Sequence, residues 1–389
     1  MRVLHIVKTS DGAAWAALQV SELVRLGVKV DVVLPEREGR MMAIWRASGA
    51  SLHFGQLDFP AGAPWRLAAV KRNVRALVGE LKPDLIHTHH VGTTLTVRAA
   101  LRDRTDLLRV FEVPGPLHLE HPVFRRWELS SAQPNDRWIG TSRCILDHYR
   151  RAGIAEDRLL LSYAGLDVRT FGQERTGAFR EQLGIEKHQM AVGNINLIYA
   201  PKYYLGQRVG LKCHEDVIDA LAIVVRERKD VVGVLAGGPW GNAQWYEKKL
   251  RARASRSGGG RILMPGLLAP ELVRIAWADY DCAVHVPLSE NCGGVVEPLL
   301  CGVPVIAGDV GGLPEIIEEG VTGKLVPIRK PDTLAKAILE VLANLDHYRA
   351  LAQKGRERAL ALFDVRHTST EVLKFYEKVL VGVTHAALR

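Results

Sequence analysis

The side chains best suited to chemistry cluster between Pro287 and Ile306, where the chain reads Pro-Leu-Ser-Glu-Asn-Cys-Gly-Gly-Val-Val-Glu-Pro-Leu-Leu-Cys-Gly-Val-Pro-Val-Ile. An apolar strand pattern ends by delivering Glu290, Gly293-Gly294 makes a turn, and Glu297 follows one turn into a helical segment closed by Gly302 and Pro304. The backbone of Asn291, Cys292, Gly293, Gly294 and Val295 opens that helix, and its free N–H groups and partial positive charge suit an anion such as a diphosphate. Carboxylates beside it would bind hydroxyls. Two lone acids of this kind are more often a loop acid and a first-turn acid; the surrounding pattern favours a site.

Other groups invite weaker readings. Strand alternation puts His87 and His89 on one face, but no acid or cysteine stands nearby at ligand spacing, so no metal site is expected. Trp15, just after Gly12, is open to two readings, stacking on a sugar or packing its helix. Lys71, Arg72 and Arg75 share part of one helix face, which reads as solvated or as a contact for anionic lipid. Gly237 to Gly241 is not G-x-G-x-x-G and reads as a turn.

The elements that position these residues alternate between strand and helix. An apolar strand at the N-terminus precedes a helix from about Ala14 to Leu26 and a strand from Val28 to Leu34, and further βα pairs continue to Ser142. The polar stretch Leu166 to Glu186, broken by three glycines, reads as a linker without a core element. A second series runs from a strand at Gly193–Tyr199 to a helix around Pro314–Glu318, and Ser369–Val381 makes a final amphipathic helix. Repeated alternation predicts parallel sheets covered on both faces, with ligands beyond the carboxyl ends of the strands. The expected division is 1–172, 173–365 and a returning C-terminal helix at 366–389.

A length of 389 residues with 47% hydrophobic and 24% charged residues supports two cores and excludes a disordered chain. No apolar run reaches bilayer length, and charge interrupts the N-terminus too soon for a signal peptide, so a cytoplasmic enzyme is expected. Five cysteines without C-x-x-C pairing read as reduced thiols. The net charge of +9 suits an anionic partner, and residues 1–180, with 26 Lys and Arg against 19 Asp and Glu, hold +7 of it. No nucleic-acid module is present, so no nucleic acid partner is expected.

The Glu290 to Ile306 run resembles the signature of the retaining glycosyltransferases of family 4, E-x7-E followed by A-x-x-C-G-x-P-V. Gly311-Gly312-Leu313-Pro314-Glu315 is similar to that family's G-G-x-P-E, and Gly320 to Pro327 to its G-x-T-G-x-L-V-P. Gly165-Leu166-Asp167-x-x-x-Phe171, Arg180-x-x-Leu183-Gly184-Ile185 and Pro83-Asp84-Leu85-Ile86-His87-Thr88-His89 extend the likeness over nearly the whole chain. The resemblance implies the α/β GT-B fold, two Rossmann-like doubly wound domains facing across a cleft, with the donor mainly on the C-terminal domain and the acceptor on the N-terminal one.

It also implies retaining, metal-independent transfer of a hexose from a nucleoside-diphosphate sugar, UDP- or GDP-linked, to an acceptor hydroxyl on a sugar, aminocyclitol or lipid-linked molecule. No cofactor beyond that co-substrate is implied. Position by position, Glu297 would accept from the ribose, Glu290 and the backbone after Asn291 would meet the transferred sugar, and Lys212 would neutralise the leaving diphosphate. Gly12 would let the chain pass close to the donor. Lys202 or Arg208 would supply a second cation, and Trp15 and His89 would face the acceptor. Pro114 stands where the family has a histidine, and His118 is the substitute; Glu290, Lys212 and His118 form the expected catalytic set. The acids stand seven positions apart rather than eight, and the family's first-loop Gly-Gly reads Gly12-Ala13. Pro114 and the shortened acidic motif keep an inactive donor-binding subunit in view as a rival, and a sugar-nucleotide epimerase of the same architecture is the other.

Overall fold

A computed structural model describes residues 1–172 and 174–386, with side chains through Val381. Gln173, the expected start of the second domain, and residues 387–389, the end of the expected C-terminal helix, lie outside the described residues. The chain divides into two compact units, Met1–Asp167 with the chain from Leu362 onward, and Val168–Ala361.

The first unit is built on a seven-stranded parallel sheet in the order β3-β2-β1-β4-β5-β6-β7. Its strands are β1 (Arg2–Ile6), β2 (Lys29–Leu34), β3 (Ser51–Phe54), β4 (Leu85–Thr88), β5 (Leu108–Val113), β6 (Asp136–Gly140) and β7 (Leu159–Leu161). Alternation along β1 sends Val3 to a cluster with Val20, Leu23, Trp45, Val372 and Tyr376, while Leu4 and Ile6 join Val74, Val78 and Ile86 on the other face. Both faces are buried, as a parallel sheet requires. The final helix, Val365–Ala386, packs against the Ala14–Arg25 helix in this unit.

The second unit carries β8 (Met190–Ile195), β9 (Val231–Ala236), β10 (Ile262–Gly266), β11 (Cys282–His285), β12 (Val305–Gly308) and β13 (Lys324–Val326) in the order β10-β9-β8-β11-β12-β13. Counted from its own first strand, this is the 3-2-1-4-5-6 order of a Rossmann sheet. Each unit therefore reverses strand order at one place, between β1 and β4 and between β8 and β11.

Three expectations change. The first strand of the second unit begins at Met190 and ends at Ile195, so 196–199 is loop. The segment read as a coreless linker contains the Ala178–Gln182 helix and buries Phe171, Phe179 and Arg180. Asp279 receives the backbone N–H groups of Gly177 and Phe179 at 2.8 and 2.9 Å, and Arg180 pairs with Asp281 at 3.1 Å. These partners lie about a hundred residues away, and Asp279 caps the N-terminus of the short helix. At Pro314 only a single 3-10 turn, Leu313–Glu315, forms. Among the described residues no helix is long and apolar enough to cross a membrane.

Candidate functional site

In the second unit, the two loops that leave β8 and β11 meet at the switch point. The Leu288 N–H donates to the Leu211 carbonyl at 2.9 Å, which ties the loop before Lys212 to the loop before Glu290. The Lys212 ammonium then pairs with Glu290 Oε2, with the two side chains 16% and 11% exposed. His285, the last residue of β11, places Nε2 2.9 Å from the same oxygen. The Asn291 N–H donates to Glu290 Oε1 at 3.1 Å. Burial works against this carboxylate, yet Lys212 and His285 together hold it well below the usual carboxylate range.

The glycine turn differs from its expected form. Gly293–Val295 is one 3-10 turn leading into the short Val296–Leu300 helix, and Asn291 Oδ1 already accepts from the Gly293 N–H at 2.9 Å. Part of the backbone read as free for an anion is thus spent within the loop. Gly294 packs on His285 instead: a Cβ there would lie 2.0 Å from the ring Nε2. Val295 and Cys292 are buried. Glu297 accepts from Trp277 Nε1 at 3.0 Å, and burial raises its pKa despite Trp277 and Arg274.

Of the two cations expected in the insertion, Arg208 is exposed and has no ion-pair partner among the described residues, while the Lys202 N–H donates to Gln207 Oε1 at 3.0 Å. The sequence reading missed Arg329, which pairs with Asp216 in the first turn of the His214–Glu227 helix beside Lys212. It also missed His285, at the end of an apolar strand five positions before Glu290, and Asn196, whose partner His285 is 89 positions away.

In the first unit, Gly12 ends the loop after β1 and Ala13 follows with φ 60°, ψ 40° at the start of the Ala14–Arg25 helix. Trp15 meets His89 edge-on, with ring centroids 5.2 Å apart. His89 is fully buried, so it supports Trp15 and does not itself reach a surface. Its Nε2 lies 2.9 Å from His5 Nδ1, and Tyr376 meets His87 Nδ1. The acid missing from the local sequence is Glu112 on neighbouring β5, 3.1 Å from His87 Nε2 and 3.6 Å from His89 Nδ1. Burial pushes Glu112 up to about 8 and His87 down to about 3. Ligand atoms of His5, His87 and His89 lie within 4.8 Å of one another. The His87 and His89 rings stack at 4.3 Å and 20°. His118 lies in the Leu117–Glu120 turn beyond β5, with its ring 5.7 Å from Phe111, and burial lowers it to about 4.

Two family models match consecutive parts of the chain, the glycosyltransferase family 4 model over residues 12–170 and the glycosyl transferases group 1 model over 180–358. Together the two models cover most of the chain and support a glycosyltransferase of the family 4 type. Relatives include the D-inositol 3-phosphate glycosyltransferases of Jonesia denitrificans, 31% identical over 51% of this chain and 49% of that one, and of Saccharomonospora viridis, 26% identical over 78% and 72%. The chain thus spans about half to three quarters of the length of these relatives. The solved structure of Anabaena HepE in complex with UDP-glucose superposes with a TM-score of 0.81 at 22% identity, covering 97% of this chain and 99% of that one, which shows the GT-B fold. Two non-glycine residues share a left-handed backbone conformation. Ala13, where the family-4 pattern has glycine after Gly12, stands at φ 60° and Cys213, after Lys212, at φ 48°, each the residue that starts a switch-point helix.

Proposed function

We propose that this chain is a retaining glycosyltransferase that moves a hexose from a nucleoside-diphosphate sugar to an acceptor hydroxyl. The observation that carries the reading is the pairing of Lys212 with Glu290 where β8 and β11 part, the place at which a Rossmann sheet takes nucleotides. In the free chain Glu290 occupies the ammonium that a diphosphate would take. On donor binding, Lys212 turns to the phosphates and neutralises the leaving group, Glu290 accepts from the transferred sugar, and Glu297 accepts from the ribose. The UDP-glucose in the HepE structure and the inositol phosphate named in the relatives favour a UDP-linked donor and a polar, hydroxyl-rich acceptor.

The acceptor side falls to the first unit, with Trp15 as stacking platform and His118 in place of the family histidine. A soluble acceptor fits the basic helix best, because Asp103 offsets part of its charge by pairing with Arg75 through two bonds of 3.0 and 2.5 Å. Lys212 stabilises the diphosphate electrostatically, so the reading needs no divalent cation there. The test is a thermal-shift panel of UDP-glucose, UDP-galactose, UDP-N-acetylglucosamine and GDP-mannose, followed by transfer assays read by NMR of the new anomeric centre. A ligand that binds only the folded chain raises its midpoint by mass action. One donor is expected to do so and to be transferred with retention, with EDTA present. Absence of a shift with every donor, or an inverted product, rejects the proposal.

A further inference from the structure

The Lys212–Glu290 pair poses a problem that the proposed function leaves open. When the diphosphate recruits the Lys212 ammonium, a buried carboxylate loses its cation, and an unpaired buried charge is costly. Something else must hold Glu290 in place to meet the sugar.

We infer that His285 is a positioning residue for Glu290, held in one tautomer by Asn196. His285 is the last residue of β11, and Asn196 follows the last residue of β8, the strand paired with it. The Asn196 amide nitrogen lies 3.3 Å from His285 Nδ1. An amide N–H can only donate, so Nδ1 accepts and the ring proton sits on Nε2, which donates to Glu290 Oε2 at 2.9 Å. The relay runs Asn196, His285, Glu290, each donor aimed at an acceptor.

Each member is fixed from behind. The Asn196 N–H donates to the Ala236 carbonyl at 2.9 Å, and Gly237, at φ +125°, lies so close that a Cβ would come 1.8 Å from the Asn196 oxygen. Gly294 leaves room for the imidazole, since any side chain there would overlap Nε2. The Gly312 N–H donates to the Glu290 carbonyl at 3.2 Å, and Gly311, at φ +60°, packs against that carbonyl. Burial lowers the His285 pKa, which keeps the ring neutral and a single-proton donor near pH 7. The neutral ring therefore keeps its hydrogen bond to Glu290 when Lys212 leaves. This assigns the second glycine of the Gly293-Gly294 turn to a side chain and not to a phosphate.

This inference rests on the proposed donor site, and the test separates the two. UDP-glucose against UDP, and GDP-mannose against GDP, are titrated calorimetrically into the native chain and into Lys212→Ala, Glu290→Gln, His285→Phe and Asn196→Ala. Because Glu290 meets the sugar and not the nucleotide, His285→Phe is expected to weaken the nucleotide sugar about tenfold while leaving the nucleoside diphosphate within about twofold. A merely structural role would weaken both alike. Glu290→Gln with His285→Phe together should be no worse than the weaker single variant, since both remove one arrangement. If His285→Phe does not fold, Asn196→Ala carries the comparison, with a smaller loss in the same direction, and the 15N shifts of His285 in the native chain should report the Nε2–H tautomer. A native chain that binds none of the four probes brings down the donor site and this inference with it. A native chain that binds, with sugar-to-diphosphate selectivity unchanged in the His285 and Asn196 variants or with an Nδ1–H tautomer, overturns the inference alone.

Discussion

At the scale of single residues, the site places two carboxylates in opposite electrostatic states within eight positions of chain. Glu290 is driven down by a cation and an imidazole, whereas Glu297 is pushed up by burial with only the Trp277 N–H and Arg274 opposing. Glu290 is therefore an acceptor at every working pH, whereas burial shifts Glu297 toward its protonated form. Lys212→Ala should lower the transfer rate by roughly 10² to 10³, the cost of losing one preorganised electrostatic group at a leaving anion. Glu297→Ala should weaken donor binding by about 1.5 to 3 kcal/mol, the range for a hydrogen bond to a charged group. Steady-state kinetics with near-native kcat/KM in both variants would remove the assignment.

At the scale of elements, each switch-point helix starts with a residue in the left-handed region. A non-glycine residue there costs roughly 1 to 2 kcal/mol, against about 0.5 to 1 kcal/mol of extra chain entropy that glycine loses on folding. Ala13→Gly should therefore stabilise the first unit by up to about 1 kcal/mol. Cys213→Gly relieves the same strain but removes a fully buried side chain, and the lost burial offsets the gain. Urea unfolding should show a higher midpoint for Ala13→Gly and none for Cys213→Gly; equal gains in both would show that the Cys213 side chain contributes nothing.

For the whole molecule, the buried polar network of the first unit sets a pH window. Glu112 has its folded pKa raised from 4.5 to about 8, so its contribution is complete below 4.5 and is lost as pH rises to about 8. The slope is about 1.4 kcal/mol per pH unit while one proton separates the states. His5, His87 and His89 are lowered from 6.5 by burial, so their contribution is present above 6.5 and is lost on acidification. Three histidines outweigh one acid below 6.5, which places maximal stability near neutrality with a fall toward pH 8. Glu112→Gln should abolish that alkaline fall and keep the acid limb; thermal melts from pH 5 to 8.5 in which the variant still loses stability above 6.5 would assign the slope elsewhere. The surface makes a separate prediction. With Arg75 paired, only Lys71 and Arg72 of the basic face stay available, about 2 kcal/mol at an anionic membrane. Sedimentation with anionic vesicles at physiological salt should leave the protein in the supernatant, and salt-sensitive pelleting lost in a Lys71→Glu, Arg72→Glu variant would point to a lipid-linked acceptor.

Local pattern decided much of this protein. The apolar strands and amphipathic helices follow from periodicity within a dozen residues, the Glu290 and Glu297 motif is legible because its glycines and prolines mark turns in the chain itself, and Lys212 is reached only through the family resemblance. Pairing across the sheets decided the rest. Glu112 joins His87 and His89 because β5 lies beside β4, and Asn196 reaches His285 because β8 lies beside β11, partners 89 residues apart. The Ala178–Gln182 helix looked coreless because its capping acid, Asp279, stands far along the chain. A sequence displays the groups that can donate, accept or carry charge, but hydrogen bonds and burial act over a few ångströms in space, and only the assembled sheet brings those partners within that range.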